Sequence, residues 1–266
     1  MDKPVNDRSR KFESGAASDV GKVRDENEDA YLLLPESGVF AVADGMGGHE
    51  AGALASAVVI DKLAEMAEPA SVAGLLAACQ ERLADANETL LQIADERGGI
   101  VIGATVAALL AWEGYYACVW SGDSRVYLIR RGRIQQLTRD HTEVAELLAE
   151  GVLTAEEARS WPRRNVITRA IGVYHELELE IVQGVLEKGD LFVICSDGLT
   201  THVADAEILE STRRAAPQGA CDSLIALTME RGATDNVTVV IARYAPLGST
   251  VVFAQGIAPA PRRTPG

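Results

Sequence analysis

Apolar residues recur along this chain in two rhythms. Short β-prone blocks at 30–34 and 39–43, bounded by Pro35, Gly38 and Gly45, predict a pair of strands. From 48 to 67 the period lengthens to that of a helix, with Ala55, Val58, Val59, Leu63 and Met66 on one face. After Pro69, Ser71 is placed to cap a second helix. Its stripe runs through Leu75, Leu76, Cys79, Leu83, Ala86, Leu90, Leu91 and Ala94 until Gly98 and Gly99 end it. Strand blocks follow at 104–111, 115–121, 125–130 and 134–137, with Gly114 and Gly132 at the hairpin turns. Two more lie at 179–185 and 191–196. Short helices near 205–215 and 221–231 precede a closing strand at 236–244.

The stretch 139–172 breaks this rhythm. It is polar, with a helix predicted at about 142–150, a Thr154-x-x-Glu157 capping box, a stop at Pro162 and the basic pair Arg163 and Arg164. A long, locally structured insertion between strands predicts a functional cover rather than core. The polar segment 1–15 is expected to be disordered, and 246–266, rich in Pro, Gly and Ser, to be a flexible tail. Within that tail only 250–254 (TVVFA) has the pattern of a further strand. One domain is expected over 16–245.

Composition narrows the function. With 266 residues, 47% of them hydrophobic, a sizeable core is available. The net charge of −14 disfavours nucleic acid and anionic lipid as partners. Cys79, Cys118, Cys195 and Cys221 form no C-x-x-C pair, which predicts buried free thiols rather than a zinc site. The opening MDKPVNDRSRKFESG lacks an apolar run, so no secretory signal is read there. The longest apolar stretch, 100–112, is too short to span a bilayer. A cytoplasmic monomer without membrane attachment is expected.

The chemistry lies in the aspartates. Asp44 follows the apolar VFAVA and precedes GMGG. Asp197 follows LFVICS, Asp123 follows YACVWSG, and Asp235 and Asn236 open the last strand. Any one of these is an ordinary turn residue. Four at strand ends, joined by the acidic run 25–29, are expected to converge on one edge and share cations. Oxygen donors without His or Cys favour Mg²⁺ or Mn²⁺ over zinc. Gly45 is expected to turn the chain so that its carbonyl faces a metal, and Gly47 and Gly48 to ease entry into the helix. A phosphate-cradling loop is not supported, because the lysine of that motif is absent.

VRDENEDA (23–30), VADGMGGHEAG (42–52), GAT (103–105), SGDSRVY (121–127), CSDGL (195–199) and ATDNVTVV (233–240) occur in this order. Together they resemble the motif set of the type 2C, or PPM, metal-dependent serine/threonine phosphatases in their bacterial stand-alone form. The resemblance implies an α+β fold, an αββα sandwich of two packed antiparallel sheets flanked by helices, with 139–172 as a flap. It implies two core Mn²⁺ or Mg²⁺ ions and a third. By motif, Asp44 would bridge the core pair and Gly45 would lend its carbonyl. Asp197 and Asp235 would hold the first ion; Asp29, with Glu28, would support the second. Asp123 with Asp197 would take the third, and Arg24 would grip the substrate phosphate.

The activity so implied is hydrolysis of phosphoserine and phosphothreonine in proteins by a hydroxide held between the metals, without a phosphoenzyme. Its setting would be opposition to a bacterial serine/threonine kinase. Arg24 suits a bidentate clamp on phosphate. The leaving alkoxide needs a proton. Eukaryotic members place a His directly after the Asp-Gly pair, where this chain has Met46, so His49 is the candidate acid, with His141 in reserve. His175 and His202 are read as surface residues. The alternatives are a catalytically inactive member that binds phosphoproteins as a regulator, and a different metal hydrolase such as a nuclease. The complete acid set disfavours the first, and the acidic charge the second.

Overall fold

Successive residues of the central strands face different partners. In the computed structural model, which describes residues 12–48, 50–66, 71–163 and 165–246, β3 (Val39–Met46) shows this clearly. Its Val39, Ala41 and Ala43 join an apolar cluster under two helices, while Phe40 and Val42 join a second cluster between two sheets. β10 (Leu191–Cys195) alternates likewise: Phe192 and Ile194 face the other sheet, and Leu191, Val193 and Cys195 face a third cluster under a second set of helices. Strands buried on both faces read as continuous apolar runs. Three stacked clusters require four layers, and this is the αββα sandwich expected from the resemblance.

One sheet runs in the order β1 (Phe12–Asp19), β11 (Val237–Tyr244), β10, β7 (Arg125–Arg130), β8 (Arg133–Gln136). The other runs β2 (Asp29–Leu34), β3, β5 (Val106–Trp112), β6 (Tyr115–Ser121), β9 (Glu180–Val185), with the short β4 (Gly103–Ala104) beside β3. All pairings are antiparallel. α1 (Glu50–Ala64) and α2 (Val72–Glu96) cover the second sheet. α5 (Asp197–Thr200), α6 (Asp205–Arg214) and α7 (Pro217–Glu230) cover the first. Ser71 caps α2 by accepting from the Gly74 N–H, an arrangement worth about 1 kcal/mol. The Glu113–Gly114 and Arg131–Gly132 turns have both residues at positive φ, the geometry that matches strand twist in two-residue hairpins.

Two expectations need correction. Disorder over 1–15 fails at its C-terminal end, because β1 begins at Phe12 and pairs with β11 along its whole length. Its sequence FESGAASD has little β propensity. The strand is held instead by the ladder, by Phe12 packing on Phe40 and Tyr244, and by Gly15, where an added Cβ would lie 2.5 Å from the Gln218 backbone. Gly45 is not at a turn. It lies within β3, paired with Ala104. Residues 1–11 and 247–266, including the expected strand at 250–254, lie outside the described residues.

The 139–172 insertion carries α3 (Glu143–Ala149) and α4 (Ala155–Arg159), capped by Thr142 and by the Thr154–Glu157 capping box. Bridges Thr142↔Ile167 and Ala104↔Ile171 bring its two ends together beside β4.

Candidate metal centre

The inter-sheet layer is apolar along most of its length and turns polar at one end. Continuing the strand alternation, Asp44 follows Phe40 and Val42, and Ser196 follows Phe192 and Ile194. Thr238 precedes Val240 and Ala242, and Ser124 precedes Val126 and Leu128. Asp29 stands directly opposite Asp44 in the β2–β3 register. Like charges directly opposite across a ladder repel, so a sequence that places them there needs a counter-charge. Asp197 leaves β10, Asp235 precedes β11, and Asp123 sits in the crossing from β6 to β7. The strand ends of both sheets thus deliver the five aspartates to one edge.

Their electrostatics reflect the crowding. Burial first, and then neighbouring carboxylates, hold Asp44 well above the usual carboxylate range; Asp29, Asp197, Asp123 and Asp235 all contribute. Burial pushes Asp29 up to about 7, Asp123 up to about 8 and Asp197 up to about 6, with other aspartates of the group adding to each. Asp29 Oδ1 and Asp123 Oδ1 are buried without hydrogen-bond partners. Orphaned carboxylate oxygens in an all-oxygen set fit a hard divalent cation. Among the described residues, no three His, Cys, Asp or Glu side chains are already gathered as a metal cage. Their oxygens have other engagements: Asp29 Oδ2 accepts from Ser196 Oγ at 2.8 Å, and Asp235 Oδ2 pairs with Arg24 Nη2 at 2.9 Å.

Arg24 is half-exposed, and Asp235, Glu28 and Asp44 raise its pKa against the opposing effect of burial. Its loop is pinned by Asn236. The Asn236 Oδ1 accepts the Glu28 N–H at 2.8 Å, and its Nδ2 donates to Val20 O and Glu26 O, both at 2.9 Å. Gly45 owes its identity to close approach: a Cβ there would lie 1.9 Å from Gly52 O of α1. Gly198 repeats the device, 1.9 Å from Asn236 O. The Asp44 backbone is fixed by Thr105, whose hydroxyl accepts its N–H and lies 2.8 Å from Ser124 Oγ. The Glu28 carboxylate rests against Gly52.

His49 lies outside the described residues, as does Arg164. His141, the reserve candidate, is buried and turned to Gly122 and Glu180. His202 is half-buried and bonds Thr234 beside Asp235, so it is not a free surface residue. Sequence reasoning also passed over Arg125, which holds Asp140 through Nε and Nη2, the latter at 2.6 Å. A groove of about 410 Å³ runs from Asp123 and Asp197 past this pair to Leu148 and Arg159 on the flap.

Residues 22–236 match the family described as Protein phosphatase 2C. The chain is 39% identical over 228 residues to serine/threonine protein phosphatase PstP of Mycobacterium tuberculosis, covering 85% of this chain but 44% of that protein. It therefore spans less than half the length of that relative. It is 32% identical to serine/threonine phosphatase stp of Listeria innocua, covering 84% and 92% of the two chains. Among solved structures, PppA, a regulatory component of T6SS in Pseudomonas aeruginosa, superposes with a TM-score of 0.82 at 39% identity, covering 88% and 98%. The catalytic domain of PstP in complex with two manganese ions gives 0.80 at 35%, covering 88% and 99%. The chain belongs to the protein phosphatase 2C family.

Proposed function

We propose that this protein is a metal-dependent phosphatase that removes phosphate from phosphoserine and phosphothreonine in proteins. The observation that carries this reading is the meeting of five buried or half-buried aspartates where the inter-sheet layer opens; burial, and then the neighbouring carboxylates, raise the pKa of Asp44, Asp29, Asp123 and Asp197. Asp44, with the Gly45 carbonyl, Asp197 and Asp235, would hold one Mn²⁺ or Mg²⁺. Asp44 with Asp29 and Glu28 would hold a second, and Asp123 with Asp197 a third. Bound divalent ions supply Lewis acidity, acidifying a water and offsetting charge on the phosphoryl oxygens.

The chain's own residues do the rest. Arg24 stands beside Asp235 on an exposed loop, where its planar fork can take two phosphate oxygens once Asp235 is engaged elsewhere. Asn236 holds that loop in reach. Thr105, braced by Ser124, holds the Asp44 backbone and Ser196 holds the Asp29 carboxylate, so little reorganisation is left for the reaction step. His49 remains the candidate proton donor to the leaving alkoxide.

Hydrolysis of p-nitrophenyl phosphate in Mn²⁺ against EDTA tests the reading. Metal-dependent turnover is expected, and its absence would leave a phosphoprotein-binding role in its place. We further infer a cytoplasmic monomer that opposes a bacterial serine/threonine kinase. The bacterial serine/threonine phosphatases it resembles support the opposition to a kinase; among the described residues, no helix is long and apolar enough to cross a membrane. Phosphoproteome comparison of a deletion strain would name the substrates.

A further inference from the structure

The turn at 121–124, which carries Asp123, is gripped from two sides. On one side is Thr105: a Cβ added at Gly122 would lie 2.5 Å from Thr105 Cβ, and Thr105 Oγ1 reaches Ser124 Oγ. On the other side is His141. Its backbone N–H donates to Gly122 O at 3.0 Å, and its Nδ1 accepts the Gly122 N–H at 3.1 Å. A neutral ring that accepts at Nδ1 carries its proton on Nε2. That nitrogen lies 3.2 Å from Glu180 Oε1, off the line of a good hydrogen bond but close enough to attract. The ring is 1% exposed and stacks on Trp120 with centroids 6.0 Å apart. Burial lowers the His141 pKa, against the pull of Glu180, and so favours the neutral form that Gly122 requires.

Glu180 is shared. Arg139 Nη2 lies 3.4 Å and Arg169 Nη1 3.2 Å from the same Oε1. Arg139 enters the flap and Arg169 lies near its exit, so one carboxylate at the start of β9 ties both roots. Trp120 adds a further bond, donating from its indole to Arg139 O at 2.9 Å. We propose that His141 is a positioning residue that joins the flap roots to the 121–124 turn and thereby fixes Asp123. It touches no reacting atom and acts through Gly122. The consequence for turnover rests on the phosphatase reading above; the mechanical link does not.

Two substitutions separate acceptor from bulk. His141→Asn keeps an acceptor, its Oδ1, near the place of Nδ1, whereas His141→Leu fills space without one. In EDTA, amide exchange at Gly122 and Asp123 should quicken roughly ten-fold in H141L, the loss of about one hydrogen bond's worth of protection, and stay near wild type in H141N. With Mn²⁺, H141L should lose roughly ten-fold in kcat on p-nitrophenyl phosphate with KM little changed, and H141N should recover most of it. Wild-type exchange and kcat in H141L would overturn the proposal, and so would an H141N as impaired as H141L. Glu180→Gln keeps the imidazole but removes the charge that holds its Nε2 side to the flap roots, and it decides the matter if H141L does not fold: faster exchange at Gly122 supports the link, and unchanged exchange refutes it. A wild-type protein without turnover would sink the phosphatase reading and leave exchange to judge this one.

Discussion

Asp44 stands at the end of the seam between the two sheets, and burial, then its neighbouring carboxylates, raise its pKa. Asp44→Asn keeps the size and removes the charge. It should abolish Mn²⁺-dependent turnover while relieving repulsion with Asp29, so the metal-free protein should melt at or above the wild-type temperature; calorimetry with a rate assay checks both. Arg24→Ala should mainly weaken phosphate binding, seen as a raised KM and weaker inhibition by inorganic phosphate. The glycines after Asp44 and Asp197 teach a different point. Asp197 is legible because an acid after an apolar run is conspicuous, whereas Gly198 enters the sequence reading only as part of CSDGL. Its reason is the Asn236 carbonyl pressed against it. Gly198→Ala should destabilise the fold by about 1–3 kcal/mol, the usual cost of overpacking, measured by urea unfolding. Tertiary contact, invisible in local sequence, decides such positions.

At the scale of elements, the strands from β2 to β11, apart from the two-residue β4, were legible because burial on one or two faces writes itself as period two or as an unbroken apolar run. β1 was not, since FESGAASD owes its conformation to the β11 ladder. The 20–28 loop is the functional counterpart. Its acids and Arg24 were conspicuous in sequence, yet nothing local revealed that Asn236, more than two hundred residues away, ties it to the β11 entrance. Asn236→Ala removes bonds to Val20, Glu26 and Glu28. It should cost about 1–3 kcal/mol for the buried groups left unpaired. It should also lower kcat/KM, because Arg24 loses its setting. Unaltered kinetics with the expected instability would show that the loop is placed by other means.

For the whole molecule, the centre sets the pH response. Asp29, Asp123 and Asp197 ionise near 7, 8 and 6 in the fold, against about 4 in an unfolded chain. Between these limits the unfolded chain binds fewer protons, so these groups make the metal-free protein less stable as pH rises from about 4 to 8. Metal ions held by the proposed carboxylates would compete with the same protons. The rise in Tm on adding Mn²⁺ should therefore be larger at pH 8 than at pH 5.5, and equal rises at both would contradict the assigned ligands. The placement of the acids has a mechanical sequel. Asp29 and Asp44 lie in one sheet, Asp197 and Asp235 flank the ends of β10 and β11 in the other, and Asp123 lies in the chain passing between them. An ion shared across that seam would act as a rivet through the sandwich. Chelation should unfasten the two sheets at this end first, while the apolar far end holds.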